Sequence, residues 1–251
     1  MNFKDYFSQT ASEYAKYRPH YPQSLFDFLN NLVTTHSTAW DCATGNGQVA
    51  NQLASYFDKV YASDASKQQI SNAVTNNRIE YLVAPAESIP LEDNSIDLIT
   101  VAQAFHWFDA DSFYVQAKRV LKPEGIIALW CYGLWEIPNA SDSLNTAIQY
   151  FYDAVNPFKA PEIKLIDNRY QTIDFPFQEI EIPNQSFFMT HNWTAEQLIG
   201  YLNTWSATQS FIKNKGIVDV SNLLEAIREH WSEIKQTMTI SWQLHLRVGR
   251  I

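Results

Sequence analysis

Thr38-Ala39-Trp40-Asp41-Cys42-Ala43-Thr44-Gly45-Asn46-Gly47-Gln48 decides how the rest of the chain is read. Its first five residues run straight into a glycine turn and read as a short strand. Beyond the turn, Val49, Leu53, Ala54 and Phe57 fall on one side of a helix predicted over 46–56. Strand, tight turn and helix in that order make half of a parallel unit, with its ligand-binding end at the turn. Only seven glycines occur in the chain, and two of them, Gly45 and Gly47, sit here. Glycine lets the backbone bend sharply and approach a ligand closely. The free N–H groups that open the next helix favour an anionic or nucleoside-like occupant. A plain strand-to-helix turn is the competing reading.

The neighbouring sequence repeats the same grammar. Leu25, Phe28, Leu29, Leu32 and Val33 mark one face of a helix over 24–33. Strands are predicted over 59–63, 79–84, 95–102 and 126–130, and helices over 66–74, where Ser66 can cap, and 110–121. Lys122-Pro123-Glu124-Gly125 reads as a turn. Short, almost wholly apolar strands alternating with amphipathic helices predict a doubly wound α/β fold with a mostly parallel sheet. The alternation stops after residue 132. From there 133–175 reads as mostly helical and irregular, 177–189 as extended, and 195–205 and 222–234 as helices. At the end, Met238, Ile240, Trp242, Leu244, Leu246 and Val248 alternate with Thr239, Ser241, Gln243, His245 and Arg247. That period of two predicts a long strand added antiparallel to the sheet. One domain over 1–251 is expected, with 133–235 inserted as a largely helical substrate cap.

Composition narrows the function. The chain has 251 residues and a net charge of −9, so a phosphate backbone is a poor partner and nucleic acid is not expected. Its two cysteines, Cys42 and Cys131, suit a reducing compartment rather than a disulfide scaffold. With no apolar run of about 18 residues and no secretory leader pattern, no membrane partner and a cytoplasmic location are expected. Aromatics make up 14% of the chain, and Trp107, Trp130, Trp135, Trp193 and Trp205 fit either the core or a cavity for an organic ligand. The six histidines show no paired ligand spacing, so no metal is expected.

The turn has company at the same sheet edge. Asp64-Ala65 follows the second strand, where a carboxylate can accept both hydroxyl protons of a ribose; a helix-start acid is the alternative. Ala86-Glu87 follows the third strand, where an adenine ring would lie. Gly45-x-Gly47-x-x-Ala50 also meets a dinucleotide fingerprint, so a hydride-transferring NAD enzyme is a rival. Asp41 counts against it, because an acid pointing at the loop repels a pyrophosphate and suits a ligand with an ammonium and a sulfonium. The terminal alternating strand is also foreign to a dehydrogenase half-domain.

On these residues the chain resembles the Rossmann-like class I methyltransferases, and more narrowly the trans-aconitate methyltransferase-like branch of methyltransferase type 11. Tyr14-Ala15-Lys16-Tyr17-Arg18-Pro19-His20-Tyr21-Pro22 is similar to the branch's N-terminal segment. Asp41-Cys42-Ala43-Thr44-Gly45-Asn46-Gly47 matches its acidic glycine loop except at Ala43, where glycine is usual. Ala86-Glu87-Ser88-Ile89-Pro90, Ala102-Gln103-Ala104-Phe105-His106-Trp107-Phe108 and Tyr201-Leu202-Asn203-Thr204-Trp205-Ser206 resemble three further motifs. The resemblance implies S-adenosylmethionine as cofactor, held by Tyr14, Arg18, Asp41, Ala43, Thr44, Gly45, Gly47, Gln48, Asp64, Ala65, Ala86, Glu87, Ala102 and Gln103. It implies a small-molecule acceptor contacted by Tyr17, Trp107 and Trp205, with O-methylation of a carboxylic acid as the leading reaction. His106 is the candidate catalytic base, or else only orders the loop. A non-catalytic adenosylmethionine-binding protein is a further alternative.

Overall fold

The computed structural model describes residues 17–183, 187–232 and 237–251. The first half runs α1 (Gln23–Leu32), β1 (Thr38–Cys42), α2 (Gln48–Leu53), β2 (Lys59–Asp64), α3 (Lys67–Ser71), β3 (Ile79–Val83), β4 (Ile96–Ala102), α4 (Ala110–Val120) and β5 (Leu121–Tyr132). The second half adds α5 (Asp142–Val155), α6 (Lys164–Asp167), β6 (Gln178–Glu179), β7 (Phe188–Trp193), α7 (Ala195–Asn203), α8 (Ser206–Lys215), α9 (Ile217–Ser232) and β8 (Met238–Arg250).

Strands whose side chains are apolar on both faces need helices on both faces. The sheet order is β3-β2-β1-β4-β5-β8-β6, parallel through β5 and antiparallel where β8 lies between β5 and β6. The chain winds outward in both directions from β1 and β4, which opens a crevice at their C-terminal ends. One apolar cluster joins Leu25, Leu29, Leu53 and Phe57 of the first helical layer to Phe151, Leu202, Ile227 and Trp231 of the later helices. The opposite face is sealed by Phe113, Ala117 and Val120, all fully buried. Ser66 caps α3 by accepting a hydrogen bond from the Gln69 N–H at 3.3 Å.

One feature departs from the sequence reading and two add to it. Lys122, Pro123, Glu124 and Gly125 do not separate helix from strand; they bulge out of the ladder between the Ile96–Leu121 and Leu98–Ile126 pairs. The terminal strand serves two ladders. Residues 244–250 pair with β5, while 238–243 run past the sheet to pair with β7. After residue 132, β6 and the start of β7 fall in the segment 177–189 expected to be extended, and β7 runs on to Trp193 between the helices. Among the described residues no helix is long and apolar enough to cross a membrane.

Candidate active site

The turn after β1 is built from three left-handed residues in alternation: Ala43 at φ 54°, Gly45 at φ 59° and Gly47 at φ 85°. Glycine takes that conformation freely, whereas Ala43 carries about 1–2 kcal/mol of strain. The Thr44 N–H donates to Ser63 O at 2.9 Å and the Gly47 N–H to Thr44 O at 3.0 Å, tying the turn to β2 and to itself. Asp41 lies beneath it, 1% exposed. Its Oδ2 accepts from the Thr44 hydroxyl and, at 3.1 Å, from the Ala50 N–H; its Oδ1 accepts from the Thr100 hydroxyl at 2.8 Å. Burial lifts this carboxyl from 3.8 to about 6 against those three hydrogen bonds, and the nearby Asp64 lifts it further. Asp41, expected at the strand end pointing at the loop, lies beneath it with its oxygens taken up in pinning the turn, α2 and β4 together.

Asp64, at the tip of β2, is half-buried. Its Oδ2 accepts from the Gly45 N–H at 2.9 Å and its Oδ1 from the Ser66 N–H at 2.8 Å. A Cβ built on Gly45 would meet nothing within 4 Å, so the turn faces open space rather than packed side chains. Gln48 points back to the N-terminal segment, donating to Pro19 O at 3.2 Å and meeting His20 Nδ1 at 2.6 Å. Ala86 is buried, and Glu87 accepts from the Asp109 N–H at 2.9 Å, joining the end of β3 to the start of α4. Burial first, and then Asp41, Asp64 and Glu87 together, push the Cys42 thiol well above its ordinary value. Asp64 and Glu87 thus bring two carboxylates to this edge, with Asp41 buried beneath the turn. A pyrophosphate would be repelled there, and a nucleoside with a positively charged tail would be attracted. Ala65, Ala102 and Gln103 are half-buried at the same edge. Tyr14 lies outside the described residues.

Beyond the ends of β4 and β5 is a cavity whose walls include Arg18, Gln103, His106, Trp107, Tyr132 and Lys159. Trp205 completes one side and Leu134, Ile163 and Ile166 add apolar surface. Segments far apart in sequence meet here, and the backbone shows how. Gln103 is left-handed at φ 54°, which turns the chain out of β4 and into a helical turn, Phe105–Trp107, that carries His106 and Trp107 over the cavity. The Gln103 side chain closes a strand-like pair with Tyr132, Nε2 donating to Tyr132 O at 3.1 Å and Oε1 accepting from Tyr132 N–H at 2.9 Å. Arg18 Nη1 donates to the Tyr132 hydroxyl at 3.1 Å, and its guanidinium lies 5.2 Å from the Tyr201 ring centre. Lys159 Nζ donates to the Tyr152 hydroxyl at 2.9 Å and pairs with Asp167 at 3.3 Å. Among the described residues of the lining, the charged side chains are Arg18, Lys159 and Asp167.

Two expectations change here. His106 lines the cavity but is 5% exposed, and burial holds its pKa down to about 3. An imidazole so reluctant to take a proton is a weak base at neutral pH. Tyr17 does not reach the cavity. Its ring lies over Gly200, where a Cβ would meet it at 2.6 Å, so it packs the N-terminal segment onto α7. Trp107 and Trp205 do line the cavity, Trp205 also lying 5.5 Å from the Trp135 ring. Tyr132, Lys159 and Tyr170 escaped the sequence reading, because no motif surrounds them.

A crevice at the β1 and β4 tips, a cavity beyond β4 and β5, and an antiparallel β8 beside β5 are the architecture of a Rossmann-like enzyme of the class I methyltransferase type. Comparison with known proteins supplies the family. The family described as "Methyltransferase domain" matches residues 40–129. A Dictyostelium discoideum protein named as a methyltransferase is 34% identical over 220 residues, covering 86% of this chain and 83% of its own. A solved structure from Anaeromyxobacter dehalogenans, described as a type II methyltransferase, superposes with a TM-score of 0.82 at 32% identity, covering 93% of this chain and 97% of that one. An N-methyltransferase of Haemonchus contortus, solved with S-adenosylhomocysteine, shares the fold at a TM-score of 0.50 and 17% identity, covering 96% of this chain and 57% of that one. The chain belongs to the S-adenosylmethionine-dependent methyltransferase family.

Proposed function

We propose that this enzyme methylates an oxygen of a small organic acid, bound in the cavity walled by Arg18 and Lys159. The observation that carries the reading is a partly apolar cavity with Arg18 and Lys159 in its wall, beyond the ends of β4 and β5, on the same sheet edge as the carboxylates of Asp64 and Glu87. Carboxylates on one side and basic side chains on the other suit a positively charged donor and an anionic acceptor. S-adenosylmethionine supplies a methyl on a sulfonium, whose carbon passes to an acceptor lone pair while the carbon–sulfur pair returns to sulfur. The chain's part is to align and to exclude water. Asp64 takes the ribose hydroxyls, the Ala86–Glu87 corner takes the adenine, and the left-handed turn 43–47 gives the backbone close approach. Asp41 holds negative charge under the positive tail. Arg18 and Lys159 hold the acceptor carboxylate, and Trp107 and Trp205 wall its carbon skeleton.

A carboxylate has no proton to lose, so no base is needed and His106 need not be one. Residues 133–235 act as the cap that closes the cavity. An acid acceptor also agrees with the trans-aconitate methyltransferase-like motifs of Arg18-Pro19, His106-Trp107 and Thr204-Trp205-Ser206. The acceptor is then a soluble metabolite, with the cytoplasm as the expected compartment. The test is incubation with methyl-labelled S-adenosylmethionine and a panel of mono-, di- and tricarboxylic acids. Alkali-labile methyl ester on at least one acid supports the proposal; label transferred to amines and to no acid overturns it.

A further inference from the structure

Tyr170 is fully buried, 64 residues from His106 in sequence, yet its hydroxyl lies 3.1 Å from His106 Nδ1. Its main chain is fixed from both sides, the N–H donating to Leu165 O at 2.9 Å and the carbonyl accepting from Arg247 Nη1 at 3.0 Å. Among the described residues, His106 Nδ1 is the hydrogen-bond partner of this buried hydroxyl. That settles where the phenol proton goes. If Nδ1 carried the ring proton, two donors would face each other and the buried O–H would find no acceptor among the described residues. If Nδ1 is bare, the O–H donates to it and every group is paired. The ring proton then sits on Nε2. That nitrogen makes no hydrogen bond to a described residue and is not among the sealed polar atoms, so it opens where His106 lines the cavity.

We propose that Tyr170 is a positioning residue that fixes His106 as the Nε2–H tautomer, so that the neutral imidazole donates a hydrogen bond to an oxygen of the methyl acceptor. His106 then joins Arg18 and Lys159 as side-chain donors in the lining, beside the hydroxyls of Tyr132, Tyr201 and Ser206, while Asp167 is engaged with Lys159 and the Gln103 amide with Tyr132. Such a lining selects groups that only accept hydrogen bonds, carboxylates above all, and rejects ammonium groups of the same shape. The low proton affinity of His106, caused by burial, keeps the donor neutral. The inference rests on the cavity being the acceptor site.

The test is nitrogen-15 NMR of the histidine-labelled, full-length protein saturated with S-adenosylhomocysteine, the His106 signals being assigned by their loss in His106→Asn. A protonated-type shift at Nε2 and a bare-type shift at Nδ1 are expected; the reverse overturns the tautomer assignment and leaves the acceptor reading intact. Butyrate should then move the Nε2–H signal while butylamine does not. If neither moves it although S-adenosylhomocysteine binds, the cavity is not the acceptor site and both readings fall. Tyr170→Phe should mix the tautomers and weaken butyrate about tenfold, or ~1.4 kcal/mol, without changing S-adenosylhomocysteine affinity. His106→Asn, which keeps a donor but cannot act as a base, should retain butyrate binding that His106→Ala loses; equal loss in both overturns the donor role. The wild-type spectrum decides the tautomer even if a Tyr170 variant fails to fold.

Discussion

Replacing Asp41 by Asn should stabilise the protein at neutral pH. The carboxyl is 1% exposed, and burial raises it from 3.8 to about 6. Its folded-state value lies above its unfolded one, so its contribution to stability is fully present below about pH 4 and lost as pH climbs through about 6. Above that, the buried charge costs about 3 kcal/mol. Asn can inherit every hydrogen bond. Its oxygen takes the place of Oδ2 and accepts from Thr44 and Ala50, while its amide takes the place of Oδ1 and donates to the Thr100 hydroxyl, which can turn to accept. Urea unfolding of both proteins from about pH 4 to pH 8 isolates the difference, since all other titrating groups cancel. The variant should gain up to about 3 kcal/mol at pH 8, with the gain shrinking toward zero near pH 4. It should also bind S-adenosylmethionine about tenfold more weakly (~1.4 kcal/mol), because the charge beneath the turn is gone. A variant destabilised equally at both ends of the range would refute the reasoning, since the carboxylate would then be a net stabilising group.

Other substitutions probe the turn and the cavity. Gly47→Ala combines a φ of 85° with a Cβ placed 2.3 Å from the Tyr81 hydroxyl, so thermal or urea unfolding should show a loss of about 2–3 kcal/mol. Adding Tyr81→Phe should recover only the contact part of that loss, and full recovery would mean the backbone is not strained. Lys159→Met should raise the acceptor KM while leaving S-adenosylmethionine affinity unchanged in calorimetry. With His106 held down to about 3, the plot of kcat/KM against pH should carry no inflection from this residue between about pH 5 and 8. An inflection near 6.5 that disappears in His106→Asn would restore the base.

The parallel half of the fold was legible because its signals are local. Val49, Leu53 and Phe57, or Phe113, Ala117 and Val120, repeat at helical spacing and all are buried. The turn was legible because glycines at 45 and 47 supply the positive φ that the backbone there needs. What stayed hidden depends on distant pairing. The stretch of α8, Ser-Ala-Thr-Gln-Ser over 206–210, has no apolar stripe of its own and is held by packing of Ala207 and Phe211. Nothing near Tyr170 or Lys159 marks them, because each matters through a partner the fold brings close: His106 for the first, the cavity for the second. The motif draws attention to Asp41, but only the assembled loop shows that Thr44, Ala50 and Thr100 use up its oxygens.

Calorimetry on the purified wild-type chain with S-adenosylmethionine, S-adenosylhomocysteine and NAD bears most directly on the acidic crevice. Binding of both sulfur nucleosides and no heat with NAD is expected, with Asp64→Ala weakening the former by about 1–3 kcal/mol. Tight NAD binding, or S-adenosylmethionine affinity indifferent to Asp64, would contradict it.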